Sequence, residues 1–405
     1  MTSKLTGNMI IAQSGGPTAV INSSVCGAIQ EAMKYSEIKE IYGAINGILG
    51  VLKENLVDIR KEDPVNIELL KVTPSSALGS CRYKLKPEDY DRILEVLKVH
   101  NIRYFFVAGG NDSMDTAMKI SKMAIEKKYE MRVMGIPKTV DNDLPVTDHC
   151  PGYGSVSRWL AIAVRDAGLD TEAIYTSDTI KVIETMGRNA GWITASTGLA
   201  KEYEDAAPHL IYLPEVPWNK EKFLADVERV YKKLGYLVIT CCEGLKDENG
   251  EYVTSSKRDI DTDKFGHKQL GGVGEFLVGT IASNLKIKAR CDKPATIQRV
   301  SQVCVSKVDA REAYEVGSVA VQEAISGKTD YMVILKREAG AIYKCTTSLA
   351  KLEDVANKEK KVPKEFINSE GNFVSEAFLN YAKPLIGEPL PKYARLEKIF
   401  IPKLV

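Results

Sequence analysis

Tyr104-Phe105-Phe106-Val107-Ala108-Gly109-Gly110-Asn111-Asp112-Ser113 is the stretch on which the fold turns: a β-prone apolar run, paired glycines, then polar residues opening a helical pattern from Met114 to Ile125. Just downstream, Arg132–Ile136 repeats the strand and delivers the polar run Pro137-Lys138-Thr139-Val140-Asp141-Asn142-Asp143. Working outward, Met9–Ala12 reads as a strand ahead of Ser14-Gly15-Gly16-Pro17-Thr18, with a helix-like run from Thr18 to Met33. Lys181–Glu184, Tyr236–Cys242 and Tyr331–Lys336 read as further strands. Helices are expected around Ser155–Ala167, Lys222–Lys233, Phe276–Lys286 and Ala310–Ile325. This alternation predicts an α/β fold with mainly parallel, helix-covered sheets. In such sheets ligands bind beyond the carboxyl ends of the strands, where the polar motifs lie.

The composition narrows the function. The chain has 405 residues, enough for two or three domains at roughly 150 each. Its 55 basic and 54 acidic residues nearly cancel, so neither nucleic acid nor a membrane surface is an expected partner. No apolar stretch approaches the ~20 residues of a membrane span, and the N-terminus lacks a secretory pattern. The eight cysteines form no CxxC pair, which fits reduced thiols and a cytoplasmic protein. Two stretches, Lys246–Lys268 and Ala350–Glu370, are dense in charge and read as solvated surface insertions.

The motifs point to phosphate chemistry. Gly15 and Gly16 let the backbone approach a phosphate, and amides at the start of a helix favour an anion, although plain turn chemistry explains the pair equally well. The GxGxxG dinucleotide fingerprint is absent. Gly327-Lys328-Thr329 lacks the preceding P-loop glycine and reads as a helix C-cap turn. Asn111 and Asp112 after paired glycines can reach a metal or its waters. In extended chain, Thr139, Asp141 and Asp143 point one way while Lys138 and Val140 point the other. Carboxylates, a hydroxyl and a lysine are the ingredients of phosphoryl transfer, with a polar turn as the bland reading. Arg82, Arg188, Arg290 and Arg299 have the guanidinium geometry that suits phosphates.

Read in order, GGPTAVINSS, GSCR, GGNDS, PKTVDND, ETMGR, CCEG and RCDKPATIQR resemble the phosphofructokinase family. The resemblance implies two similar Rossmann-like three-layer domains. Residues 1–150 plus about 298–350 would bind the phosphate donor, and 151–297 plus about 351–405 the sugar phosphate. It implies a reversible glycolytic transfer to the 1-hydroxyl of fructose 6-phosphate, with Mg²⁺ as cofactor, by a homodimer or homotetramer.

Carried over by position, Asp141 matches the general base, flanked by Thr139 and by Asp143, the carboxylate associated with Mg²⁺. Asn111 and Asp112 stand at the family's metal motif, with Asn111 where an acid is usual. Met186, Gly187 and Arg188 match the sugar-phosphate contact, and Glu243 an acid bonded to sugar hydroxyls. Arg290 and Arg299 match the 6-phosphate clamp, one of them supplied by a neighbouring subunit in some arrangements. Arg82 matches an arginine near the transferred phosphoryl group, and Gly15 a backbone contact to the donor. Thr179 and Thr296 depart from the family's arginine and histidine or tyrosine. Asp112, where ATP-using relatives have glycine, and Lys138 resemble the pyrophosphate-using pattern. ATP is the alternative donor, and a non-catalytic phosphate-ligand sensor the alternative of another class.

Overall fold

The computed structural model describes residues 5–254 and 271–404, so most of the Lys246–Lys268 insertion lies outside the described residues. Among the described residues eleven strands run in chain order: β1 Gly7–Gln13, β2 Ile38–Ala44, β3 Leu56–Asp58, β4 Ile102–Gly109, β5 Arg132–Pro137, β6 Ile180–Thr185, β7 Leu210–Tyr212, β8 Leu237–Cys242, β9 Ala289–Asp292, β10 Tyr331–Arg337 and β11 Cys345–Lys351. They form a seven-stranded sheet, ordered β11-β10-β5-β4-β1-β2-β3, and a four-stranded sheet, ordered β7-β8-β6-β9. The smaller sheet is wholly parallel. The larger is parallel inside, with β3 and β11 antiparallel at its edges. The two sheets are therefore unequal versions of one plan.

Both faces of the large sheet are covered, as its unbroken apolar strands require. Along β1, Ile10 packs with Phe105, Ile93 and Met114 on one face. Its neighbours Met9 and Ile11 pack with Phe106, Ile29 and Val316 on the other. Helices Ile21–Ala32 and Lys307–Ile325 cross on this second face at glycine positions. A Cβ on Gly317 would fall 1.9 Å from the Ser24 carbonyl oxygen, and one on Gly27 2.0 Å from that of Tyr314. Only glycine lets these backbones come so close.

The register aligns the motifs. Gln13 pairs with Ala108, Ala108 with Ile136, and Gly109 with Pro137. The loops that begin at Ser14, Gly110 and Lys138 therefore leave the sheet side by side. In the small sheet Thr185 pairs with Cys242, which sets Met186–Arg188 beside Glu243. Gly327, at φ +100°, follows helix Lys307–Ile325 as the C-cap turn expected of it.

Candidate active site

The first loop is held by the second. The Gly15 amide donates to the Cys81 carbonyl at 3.2 Å, and Ser80 Oγ donates to the Gly15 carbonyl at 2.6 Å. The expectation of free loop amides fails at Gly15, whose N–H is already engaged. Its contribution is space, at φ +78° with Lys138 Nζ 3.2 Å from where a Cβ would stand. Helix Ile21–Ala32 begins later than Thr18, whose Oγ1 instead accepts from the amide of Ile21 at 2.9 Å. The paired glycines of β4 end at Gly110, which caps helix Asn111–Glu126 and aims its amino end at the cleft.

The Pro137–Asp143 run is not an extended strand beyond Pro137. Asn142 takes φ +54°, accepts from the Cys150 amide at 3.0 Å and donates to Tyr381 OH at 2.9 Å. The Thr139 hydroxyl accepts from the Asp141 amide at 3.1 Å. This bend overturns the alternation expected of an extended run: Lys138 lines the same cleft as Thr139, Asp141 and Asp143. Lys138 Nζ donates to the Gly16 carbonyl at 2.8 Å.

A cleft of about 460 Å³ opens between the strand ends of the two sheets. From the first it is lined by Gly15, Gly16, Arg82, Asn111, Asp112, Lys138, Thr139, Asp141 and Asp143; from the second by Met186, Arg188 and Glu243; and by Arg299 from the chain's return. Arg299 faces Gly16 so closely that a Cβ there would sit 2.8 Å from its Nη1. Gly244 lets the Arg188 backbone lie against it, since a Cβ would fall 1.7 Å from the Arg188 carbonyl oxygen.

Charge is crowded here. Burial, reinforced by Arg299, pulls the Lys138 ammonium down to about 7. Burial, then Asp141 and Glu359, pushes the Asp143 carboxyl up to about 7. Burial also raises Asp141, and takes Glu243 to about 7. Arg299 is held down by burial and by Arg82, and its Nε is buried without a hydrogen-bond partner. Such a set of compressed cations and raised acids fits a site shaped for a polyanion and a proton transfer.

Residues 8–324 match the family described as Phosphofructokinase. The chain belongs to the phosphofructokinase family. A relative from Xanthomonas campestris pv. campestris (strain B100), named pyrophosphate–fructose 6-phosphate 1-phosphotransferase, is 42% identical, with 98% of each chain covered. A relative of the same name from Halomonas elongata is 42% identical over 96% of each chain. The crystal structure of a pyrophosphate-dependent phosphofructokinase from Marinobacter aquaeolei matches with a TM-score of 0.86, 38% identity and 98% coverage of both chains.

In this phosphofructokinase two expected residues stand apart from the cleft lining. Arg290, on β9, pairs with Asp178 at 2.8 Å and is 59% exposed. Gly187 uses its amide to hold Glu243 Oε1 at 3.2 Å, so it positions an acid. Conversely, Asn189, Asn357, Lys358 and Glu359 line the cleft unforeseen. The last three come from Ala350–Glu370 and are themselves exposed, as expected of that stretch, but buried apolar residues anchor it against the cleft. Leu352 and Val355 are fully buried, and Glu359 accepts from Asn189 Nδ2 at 2.8 Å. The buried Leu352, Val355 and Val362 were the available signal, masked by surrounding lysine and glutamate.

Proposed function

We infer that this phosphofructokinase transfers a phosphoryl group reversibly between pyrophosphate and the 1-hydroxyl of fructose 6-phosphate, giving fructose 1,6-bisphosphate and phosphate. Its near-full-length relatives carry that activity in their names. The observation that carries the site assignment is the cation cluster of Lys138, Arg82 and Arg299 around Gly15–Gly16, directly beside the Asp141–Asp143 loop. Linked phosphates would lie on the cations, with the sugar phosphate reaching in from Met186, Arg188 and Glu243. Asp141, whose carboxyl burial raises, would accept the proton of the attacking hydroxyl. Lys138 would regain its full charge against the donor and offset charge in the transition state. Asp112, at the cleft wall in the first turn of its helix, would oppose the α-phosphate of a nucleotide and so select pyrophosphate.

Phosphofructokinases generally depend on a divalent metal ion. Hard oxygen donors suit Mg²⁺, and this cleft offers them. Asn111 Oδ1 is buried without a hydrogen-bond partner, while Asn111 Nδ2 lies 3.4 Å from Asp143 Oδ2. Asn111, Asp112 and Asp143 would hold the ion, which would neutralise phosphate charge. The donor side would comprise residues 1–150 and about 298–350, and the sugar side the remainder. A cytoplasmic homodimer or homotetramer fits this reading. With Arg290 turned to Asp178, any second clamp on the 6-phosphate would come from a neighbouring subunit. Among the described residues no helix is long and apolar enough to cross a membrane.

Phosphorus NMR of enzyme, Mg²⁺, fructose 6-phosphate and pyrophosphate tests the function. Appearance of a 1-phosphate resonance with equimolar inorganic phosphate is expected. Hydrolysis of pyrophosphate without sugar phosphorylation would refute it.

A further inference from the structure

Lys360 is half-buried where a lysine-rich surface was expected, and its amide, carbonyl and ammonium are all engaged. Its amide donates to the Asp143 carbonyl at 2.7 Å. Its Nζ donates to the carbonyls of Thr147 at 3.0 Å and Asp148 at 2.8 Å. Its own carbonyl accepts from the Trp192 indole N–H at 2.8 Å, and its ammonium lies 5.2 Å from that ring's centroid. Trp192 opens the short helix just after Met186–Arg188, on the sugar-phosphate side. One residue therefore touches the end of the Asp141–Asp143 loop, the chain leading out of it, and the element that follows the sugar-phosphate turn.

The surroundings make this contact stiff. Glu215 Oε1 accepts from the amides of both Gly191 and Val362, at 2.9 and 3.0 Å, tying the same two segments a second time. Behind the clamped loop, the His149 imidazole sits between Asp148 at 2.8 Å and Glu312 at 2.6 Å. Tyr343 OH donates to Glu312 at 2.6 Å, and Arg337 Nη2 to Asp148 at 3.1 Å. Burial holds the Lys360 ammonium below its usual range. A group buried at that cost is kept where its hydrogen bonds are needed.

We propose that Lys360 is a positioning residue for phosphoryl transfer, fixing the Asp141–Asp143 carboxylates relative to the Met186–Arg188 turn by bridging Asp143, Thr147, Asp148 and Trp192. Displacement of about 1 Å between reacting groups is enough to cost about 10²-fold in rate, which makes such a bridge consequential. The proposal rests on the phosphotransferase reading of the cleft, but the clamp itself can be tested without turnover.

The test compares full-length wild type with Lys360→Met, Lys360→Gln, Lys360→Arg and the exposed neighbour control Lys361→Met. Hydrogen exchange of substrate-free enzyme is read over residues 139–150, where the amides of Thr139, Asp148 and Cys150 are hydrogen-bonded. Lys360→Met is expected to speed exchange there by about 10-fold while β4 is unchanged. Its kcat is expected to fall about 10²-fold with both KM values within about 3-fold of wild type. Lys360→Arg and Lys360→Gln, which keep donors, should recover part of both effects, and Lys361→Met neither effect. Unchanged exchange in a folded Lys360 variant, a loss confined to KM, or an equal loss in Lys361→Met would each overturn the proposal. Should Lys360→Met not fold, Lys360→Gln carries the same two readouts. Wild-type enzyme inert with pyrophosphate and fructose 6-phosphate would sink the functional reading, while the exchange data would still judge the clamp.

Discussion

Lys138 Nζ donates to the Gly16 carbonyl across 2.8 Å, joining the loop after β5 to the loop after β1. This places a buried ammonium at the floor of the cleft, beside Arg299, with a proton held no tighter than about 7. Pyrophosphate would restore that proton. At pH 8 the empty site holds Lys138 mostly neutral, so binding the Mg²⁺–pyrophosphate complex should take up a substantial fraction of a proton. Calorimetry in two buffers of different ionisation enthalpy reads the uptake. It should shrink sharply in Lys138→Met, and equal uptake in both proteins would contradict the assignment.

Asp143 links function to stability with the opposite sign. Burial, with Asp141 and Glu359, pushes its folded carboxyl up to about 7 from an ordinary 3.8. Between those values the folded state holds a proton that the unfolded state has lost. Stability from this group therefore falls as pH rises through that window and is lowest above it. Asp143→Asn should be more stable to unfolding than wild type at pH 8, by on the order of 1–4 kcal/mol, with the gap closing at pH 4. Turnover should be lost in the same variant. A destabilised variant at pH 8 would count against the buried charge.

The general base is tested by Asp141→Ser. Its turnover should fall about 10²–10⁴-fold with modest change in KM for either substrate. Near-normal turnover would remove Asp141 from that role.

The helix crossing makes a prediction remote from the cleft. Gly317→Ala forces a Cβ to 1.9 Å from the Ser24 carbonyl oxygen, so helices Ile21–Ala32 and Lys307–Ile325 must part. A loss of about 1–3 kcal/mol in stability is expected. KM values for the folded enzyme should be unchanged, as measured by melting curves and steady-state kinetics.

The parallel core was legible because strands such as Tyr104–Ala108 are short apolar runs ending in glycine, and period and punctuation are local. The cleft residues carried by the large sheet were legible because they follow those strand ends directly. Strands β2, β3, β7, β9 and β11 were not foreseen: β3, β7 and β9 are only three or four residues long, and β2 and β11 interrupt their apolar residues with polar ones. The bend at Asn142 was hidden because its hydrogen-bond partner Tyr381 lies 239 residues away. Lys358 and Glu359 are exposed, as composition suggested; what composition could not show is that this segment reaches the cleft, which depends on Trp192, Asn189 and Asp143 arriving from elsewhere. Arg290 stands apart from its own chain's cleft, and the sequence could not show why, because a motif gives position along the chain but not the competing partner, Asp178.

The most direct measurement is kcat/KM for pyrophosphate and for ATP in one preparation, at saturating fructose 6-phosphate and Mg²⁺. Like-charge opposition at Asp112 should cost ATP several kcal/mol, so pyrophosphate should lead by at least about 10²-fold, and Asp112→Gly with Lys138→Gly should narrow the ratio. ATP supporting turnover equal to or above that with pyrophosphate would contradict the account.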